Sequence, residues 1–237
     1  MGPTGERTSV ANHLAQDLQA AYFQLIELSG AVEQMIEQSV AALMNKDRQT
    51  AAAVIAGDRE IDRREVQIEE NCLTILALHQ PVAADLRRIV MMLKINNELE
   101  QMADLACNIA QRAESLAGEG GFAMPELMTE MAEKVRAMVK DSLNAFINSD
   151  EPLAYRVLAA DDLIDQINAR IITAVEQSLA ERGANVSDAM HCFSASRHLE
   201  QIADHATSVT EDVIYMVSGD IVRHRRTLSQ QPADAET

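Results

Sequence analysis

Glu100 and Asp104 stand second and last in the hexapeptide LEQMAD, and Glu200 and Asp204 take the same places in LEQIAD a hundred residues further on. A spacing of four sets both carboxylates of a pair on one face of a helix. Asp58 and Asp62 in GDREID, and Asp161 and Asp165 in ADDLID, repeat that spacing earlier in each half. Like charges so placed oppose a helix by roughly 0.2–0.5 kcal/mol per pair, and a bound cation removes the cost. Oxygen-only ligation suits hard ions such as Mg²⁺, Ca²⁺, Mn²⁺ or ferric iron, while zinc accepts carboxylates with less preference. Straight helices offer no wrapping loop, which ranks a transition-metal cluster or Mg²⁺/Mn²⁺ above Ca²⁺.

Spacing alone is weak, because Glu33/Glu37, Glu65/Glu69 and Glu126/Glu130 share it and read as solvated surface. Register is stronger. Two antiparallel helices joined by a turn bring together residues equidistant from its middle. Asp62 and Glu100 are equidistant from Pro81, and so are Asp58 and Asp104. In the second half, Asp165 with Glu200 and Asp161 with Asp204 are both centred between Arg182 and Gly183. Twice, therefore, four acidic side chains are expected at one height across a helical hairpin.

The elements that must position them follow from periodicity. Apolar residues recur at three and four along the chain without strand-type alternation, which predicts an all-α protein. Breaks at Asn45–Asp47, His79–Pro81, Ala117–Met124, Asn148–Pro152 and Arg182–Ser187 divide it into six helices over 9–44, 47–78, 81–116, 125–147, 151–182 and 187–220. Pro81 is expected to open the third helix and Ser187 to cap the sixth. His79 is expected to satisfy helix-end carbonyls. The glycine-rich loop splits the helices three and three, giving two tandem, pseudo-repeated three-helix bundles. The expected boundaries are 1–117 for the first repeat, 118–124 for the linker, 125–226 for the second repeat and 227–237 for a flexible tail. Heptad-like steps from Met92 (Asn96, Leu99, Ala103, Ala106, Ala110, Ala113) and from Cys192 (Ser196, Leu199, Ala203, Ala206, Thr210, Val213) trace two seams of small and apolar residues that permit close helix approach.

Composition narrows the function. A formal net charge of −17 and a pI near 4.7 repel polyphosphate backbones, so nucleic acid is not expected as a ligand. Cys72, Cys107 and Cys192 are odd in number, lack zinc-site spacing and read as core residues in a reducing, cytoplasmic compartment. No run is long and apolar enough for a transmembrane segment, and the N-terminus lacks signal-peptide layout. The basic run Arg223–Arg226 suits a helix C-terminus and is also able to touch a partner or an anionic membrane surface, a peripheral place at the inner face. His198 and His205 flank the second motif, where the first has Glu98 and Leu105, and read as surface or interface residues. A phosphate-cradling glycine loop, a nucleophile with its base and the Glu-x-x-His motif of di-iron bundles are all absent from the sequence. The alternative of a carboxylate-liganded metalloenzyme, an oxidase or phosphatase, places its chemistry in the second half, where those histidines are.

The segment Leu78–Ala110 (LHQPVAADLRRIVMMLKINNELEQMADLACNIA) and the segment Arg197–His224 (RHLEQIADHATSVTEDVIYMVSGDIVRH), with the four paired acidic motifs, resemble the PhoU family of regulators associated with the high-affinity phosphate transporter. The resemblance spans roughly 11–226. It departs from the family's E-R-I-G-D core at Gln101 and Ala103 and again at Gln201 and Ala203, so each cluster loses a positive neighbour. What the resemblance implies is a cytoplasmic, non-enzymatic adaptor in phosphate homeostasis. Such an adaptor links the phosphate-transporter ATPase to a sensor histidine kinase, exerts negative regulation when phosphate is plentiful and forms a homodimer. It also implies that metal ions, as a multinuclear iron cluster or as Zn, Mn or Mg, sit on Asp58, Asp62, Glu100, Asp104, Asp161, Asp165, Glu200 and Asp204.

Overall fold

Helix-favouring Ala, Leu, Glu, Gln and Met at three-and-four spacing produce long helices, and the turns between them come from residues that cap well or tolerate left-handed backbone. In the computed structural model, which describes residues 4–117, 124–180 and 185–222, there are six helices and no strand. They are α1 (Thr4–Asn45), α2 (Arg48–His79), α3 (Ala83–Leu116), α4 (Glu126–Asn148), α5 (Glu151–Ala180) and α6 (Val186–Ser218). Most of the expected linker, the Arg182–Gly183 turn, the basic run Arg223–Arg226 and the tail 227–237 lie outside the described residues.

Asp47 begins α2 by accepting from the backbone N–H groups of Gln49 and Thr50 at 2.9 and 3.2 Å. Asp150 serves α5 in the same way through Leu153 N at 2.9 Å. Gln80 and Ser149 end α2 and α4 in the left-handed region, at φ 46° and 51°. Gly219 ends α6 at φ 82°, where an added Cβ would stand 2.6 Å from Arg87 Nη1.

Three local expectations are corrected. Pro81 does not open α3; it lies between left-handed Gln80 and extended Val82, and the helix starts at Ala83. Its fixed φ and missing N–H serve the connection, because reversing the chain direction takes the residues that a first turn would have used. Asn185, not Ser187, caps α6, accepting from Asp188 N at 3.2 Å. His79 turns to Asp17 of α1, with Nε2 2.8 Å from Oδ2, and the end of α2 is closed by Gln80 N on Leu76 O.

α1, α2 and α3 pack on one another, as do α4, α5 and α6, and the two bundles join where α3 lies against α6 and α1 meets α4. Every residue of both expected seams is buried, from Met92 to Ala113 and from Cys192 to Val213. Small side chains there let α3 and α6 sit at the centre of the molecule, each facing its own bundle and the other's. Tyr22 Oη donates to the carbonyls of Phe146 and Ile147 at 3.1 and 2.9 Å, and its ring rests 5.1 Å from that of Phe146, tying α1 to the end of α4. The three thiols are buried and none is in a disulfide, and none of the described helices is long and apolar enough to cross a membrane.

Overfilling the seam therefore costs stability. Ala206→Leu is expected to lower unfolding free energy by about 1–3 kcal/mol in urea denaturation, against less than about 0.5 kcal/mol for Ala84→Leu at an exposed position of α3.

Candidate metal centres

The hairpin register holds in both halves. α2 lies along α3 and α5 along α6, and the carboxylates of each hairpin act on one another. Burial raises the Glu100 carboxyl above its ordinary range, and Asp104, Glu65, Asp62 and Asp58 add to the rise. Asp104 is raised by burial and then by Asp58 and Asp62. In the other half Asp204 is pushed up to about 6 by burial, then by Glu200, Asp161 and Asp165, with His205 opposing. Equivalent residues also match in exposure: Asp58, Asp161, Glu100 and Glu200 are half-buried, whereas Asp62, Asp165, Asp104 and Asp204 are more open to solvent. All eight sequence-chosen carboxylates thus fall into two four-membered groups, one per bundle.

The two groups differ in what surrounds them. Every charge acting on Glu100 is negative. Glu65, one of the glutamates that spacing alone assigned to solvated surface, belongs to the first group: it acts on Glu100 and is itself raised by burial, Glu69 and Asp62. Asn96 holds this place together, donating from Nδ2 to Glu65 O at 2.9 Å across the α2–α3 contact. Cys107, read from sequence as core, is buried but also lies against Asp58, whose charge raises the thiol further after burial has done so. In the second group Arg197 Nη1 donates to Glu200 Oε1 at 2.8 Å. The positive neighbour expected to be missing with Gln201 is therefore supplied from one turn earlier. Asn97 holds the corresponding place in the first half.

As a donor set the first group fits a cation. Its carboxylates offer oxygen ligands, with the Cys107 thiol beside Asp58, and Asp58 Oδ1 is buried with no hydrogen-bond partner among the described residues, an atom that costs stability until something positive meets it. Among the described residues, no three His, Cys, Asp or Glu side chains converge on one ion-holding point. Mutual repulsion has the same sense, since like charges favour rotamers that keep their oxygens apart.

The raised carboxyls give a signed pH dependence. A carboxyl that is harder to ionise in the folded than in the unfolded state makes stability fall as pH rises between the two pKa values, and the full penalty stands above the folded one. For metal-free protein, Asp204→Asn is expected to raise stability at pH 8 on the order of 1 kcal/mol, once solvent screening of this exposed side chain is allowed for. At pH 4 that gain disappears. Urea titrations at the two pH values check this; a gain of equal size at both would contradict it.

With the geometry set out, comparison places the chain among known proteins. The model of the PhoU domain matches twice, over residues 25–113 and 128–213. The phosphate-specific transport system accessory protein PhoU homolog of Aquifex aeolicus is 38% identical over 212 residues, covering 90% of this chain and 96% of that one. The homolog from Pseudomonas aeruginosa is 32% identical over 223 residues, 92% of each chain. The crystal structure of PhoU from Pseudomonas aeruginosa superposes with a TM-score of 0.83 at 32% identity, covering 87% of this chain and 99% of that one. The phosphate transport system regulatory protein PhoU from Streptococcus pneumoniae shares the fold, with a TM-score of 0.82 at 24% identity over 88% of this chain and 99% of its own. The chain belongs to the PhoU family.

Proposed function

We propose that the protein is a regulatory accessory component of a phosphate-specific transport system. It acts in the cytoplasm as a helical adaptor between the transporter ATPase and a sensor histidine kinase, and it represses the phosphate-starvation response when phosphate is plentiful. It works without catalysing a reaction, and as a homodimer. The observation that carries this reading is the double match to the PhoU domain, together with relatives named as transport accessory proteins along nearly their whole length. Two three-helix units joined along α3 and α6 are a fitting body for an adaptor, since each presents a surface of its own.

We assign the eight carboxylates to cations, one group per bundle. Asp58, Asp62, Glu100 and Asp104 hold the first on α2 and α3, and Asp161, Asp165, Glu200 and Asp204 the second on α5 and α6. Hard ions, Mn²⁺, Mg²⁺ or ferric iron, suit the oxygen donors best, and zinc is the softer alternative. The bound charge would relieve the repulsion within each group and so stiffen the hairpin that carries it.

Two measurements test these readings separately. Deleting the gene should leave the phosphate-starvation response switched on in phosphate-rich medium, and the intact gene should restore repression; normal repression in the deletion strain would refute the regulatory role. Asp58→Asn combined with Asp62→Asn should raise the melting temperature of metal-free protein and remove the first bundle's share of the stabilisation by added Mn²⁺ or Zn²⁺. A metal response of undiminished size in that variant would refute the first site.

A further inference from the structure

Among the described residues two carboxamides are buried, Asn96 on α3 and Asn168 on α5, with exposures of 1% and 3%. In each of them Oδ1 is shut away from solvent without a hydrogen-bond partner, which costs stability in an apolar interior. Both stand at the same level of their hairpins. Asn96 is four residues before Glu100 and Asn168 is three after Asp165, in each case one turn towards the connection. Steps of three and four keep each asparagine on the helix face that carries the carboxylates, about 5 Å along the axis. Side chains on a helix lean towards its N-terminus, which sets Glu100 over Asn96 and Asn168 over Asp165.

Inheritance through the repeat does not account for the pair. Asn168 corresponds to Glu65, three residues after Asp62, and Asn96 corresponds to Ser196, four before Glu200. The carboxamide has changed helix and kept its level. An amide retained for one helix's own packing would recur at its own counterpart, whereas an amide retained for what lies between two helices is able to stand on either. In the first hairpin, Asn96 Nδ2 lies 3.3 Å from Glu65 Oε1 besides donating to Glu65 O, so its nitrogen is engaged across the α2–α3 contact and its oxygen is not. In the second, the donors that the hairpin register sets opposite Asn168 are engaged elsewhere. Ser196 Oγ donates to Phe193 O, and Arg197 pairs with Glu200.

We propose that Asn96 Oδ1 and Asn168 Oδ1 are cation ligands, each completing the carboxylate group of its hairpin with a neutral inner oxygen. This inference rests on the assignment of the eight carboxylates to cations and extends it. A carboxamide oxygen is a hard donor of the kind that Mn²⁺, Mg²⁺ and Ca²⁺ accept, so the donor sets favour hard cations over zinc. A neutral oxygen also adds a ligand without adding to the repulsion among the carboxylates, as another acid would.

The test is titration of Mn²⁺ into full-length protein stripped of metal by chelator, followed by the electron paramagnetic resonance signal of the free ion. Asn168→Leu should weaken uptake at the second group by about tenfold or more, and Asn96→Leu should do the same at the first. Repeating Asn168→Leu on the Asp58→Asn, Asp62→Asn background, which leaves the second group alone, assigns the loss. Asn168→Asp, which keeps an oxygen in place, should retain Mn²⁺, and Asn148→Leu, at an exposed position of α4, should change nothing. Melting of metal-free protein is the second readout. Leucine removes the unmatched oxygen at similar volume, so Asn168→Leu should melt no lower than wild type; lower melting with unaltered Mn²⁺ uptake would show a carboxamide kept for packing and overturn the proposal. Asn96→Leu also gives up the bond to Glu65, and Asn168→Leu carries the test should it fail to fold. Undiminished uptake in Asn168→Leu would overturn the inference and leave the carboxylate sites standing, whereas no uptake by the wild-type protein would overturn both.

Discussion

Close approach of α3 and α6 is the constraint on which the rest of the molecule depends. Both helices present alanines along their buried seams, joined in α6 by Cys192, Ser196 and Thr210, with Leu99 and Leu199 at equivalent places. Small side chains shorten the distance between axes, which allows one helix from each bundle to serve two interfaces at once. Because the acidic residues lie beside the seams, the packing that joins the bundles also fixes how the two carboxylate groups stand relative to one another.

Those groups are costly features that the fold retains. Each sets four carboxylates against one another along a helical hairpin, and the carboxyls of Glu100, Asp104 and Asp204 are raised first by burial and then by their acidic neighbours. The bundles meet the cost unequally: Arg197 pairs with Glu200 in the second, whereas among the described residues nothing positive acts on Glu100 in the first. The bundle interface adds two pairings of acid with base that the repeat does not duplicate among the described residues, Lys94 with Asp212 and His205 with Glu98. A duplicated unit that keeps its apolar seam while its charges diverge has the means to treat its two halves as distinct sites.

Much of this was legible in the sequence, for a physical reason. Seam residues follow a period set by helix geometry, and hairpin register follows from the position of the turn, so both could be computed from residue numbers. What escaped depended on contacts between elements remote in sequence. Glu65 looked like one more solvated glutamate until α3 packed beside it, and the pairings of Lys94 with Asp212 and of His205 with Glu98 join opposite halves of the chain. Arg197 is the exception: it lies three residues before Glu200, a spacing at which a helical ion pair is readable. Helix ends failed at Pro81 and Ser187 because several residues near each turn are competent to cap, and tertiary packing selects among them.

The central claim is that each bundle gathers its four carboxylates around a cation. Anomalous diffraction from crystals grown with Mn²⁺ tests it most directly. The account predicts a peak between α2 and α3, bounded by Asp58, Asp62, Glu100 and Asp104, and a second between α5 and α6, bounded by Asp161, Asp165, Glu200 and Asp204. Peaks confined to other parts of the surface, with both hairpins empty at saturating Mn²⁺, would contradict it.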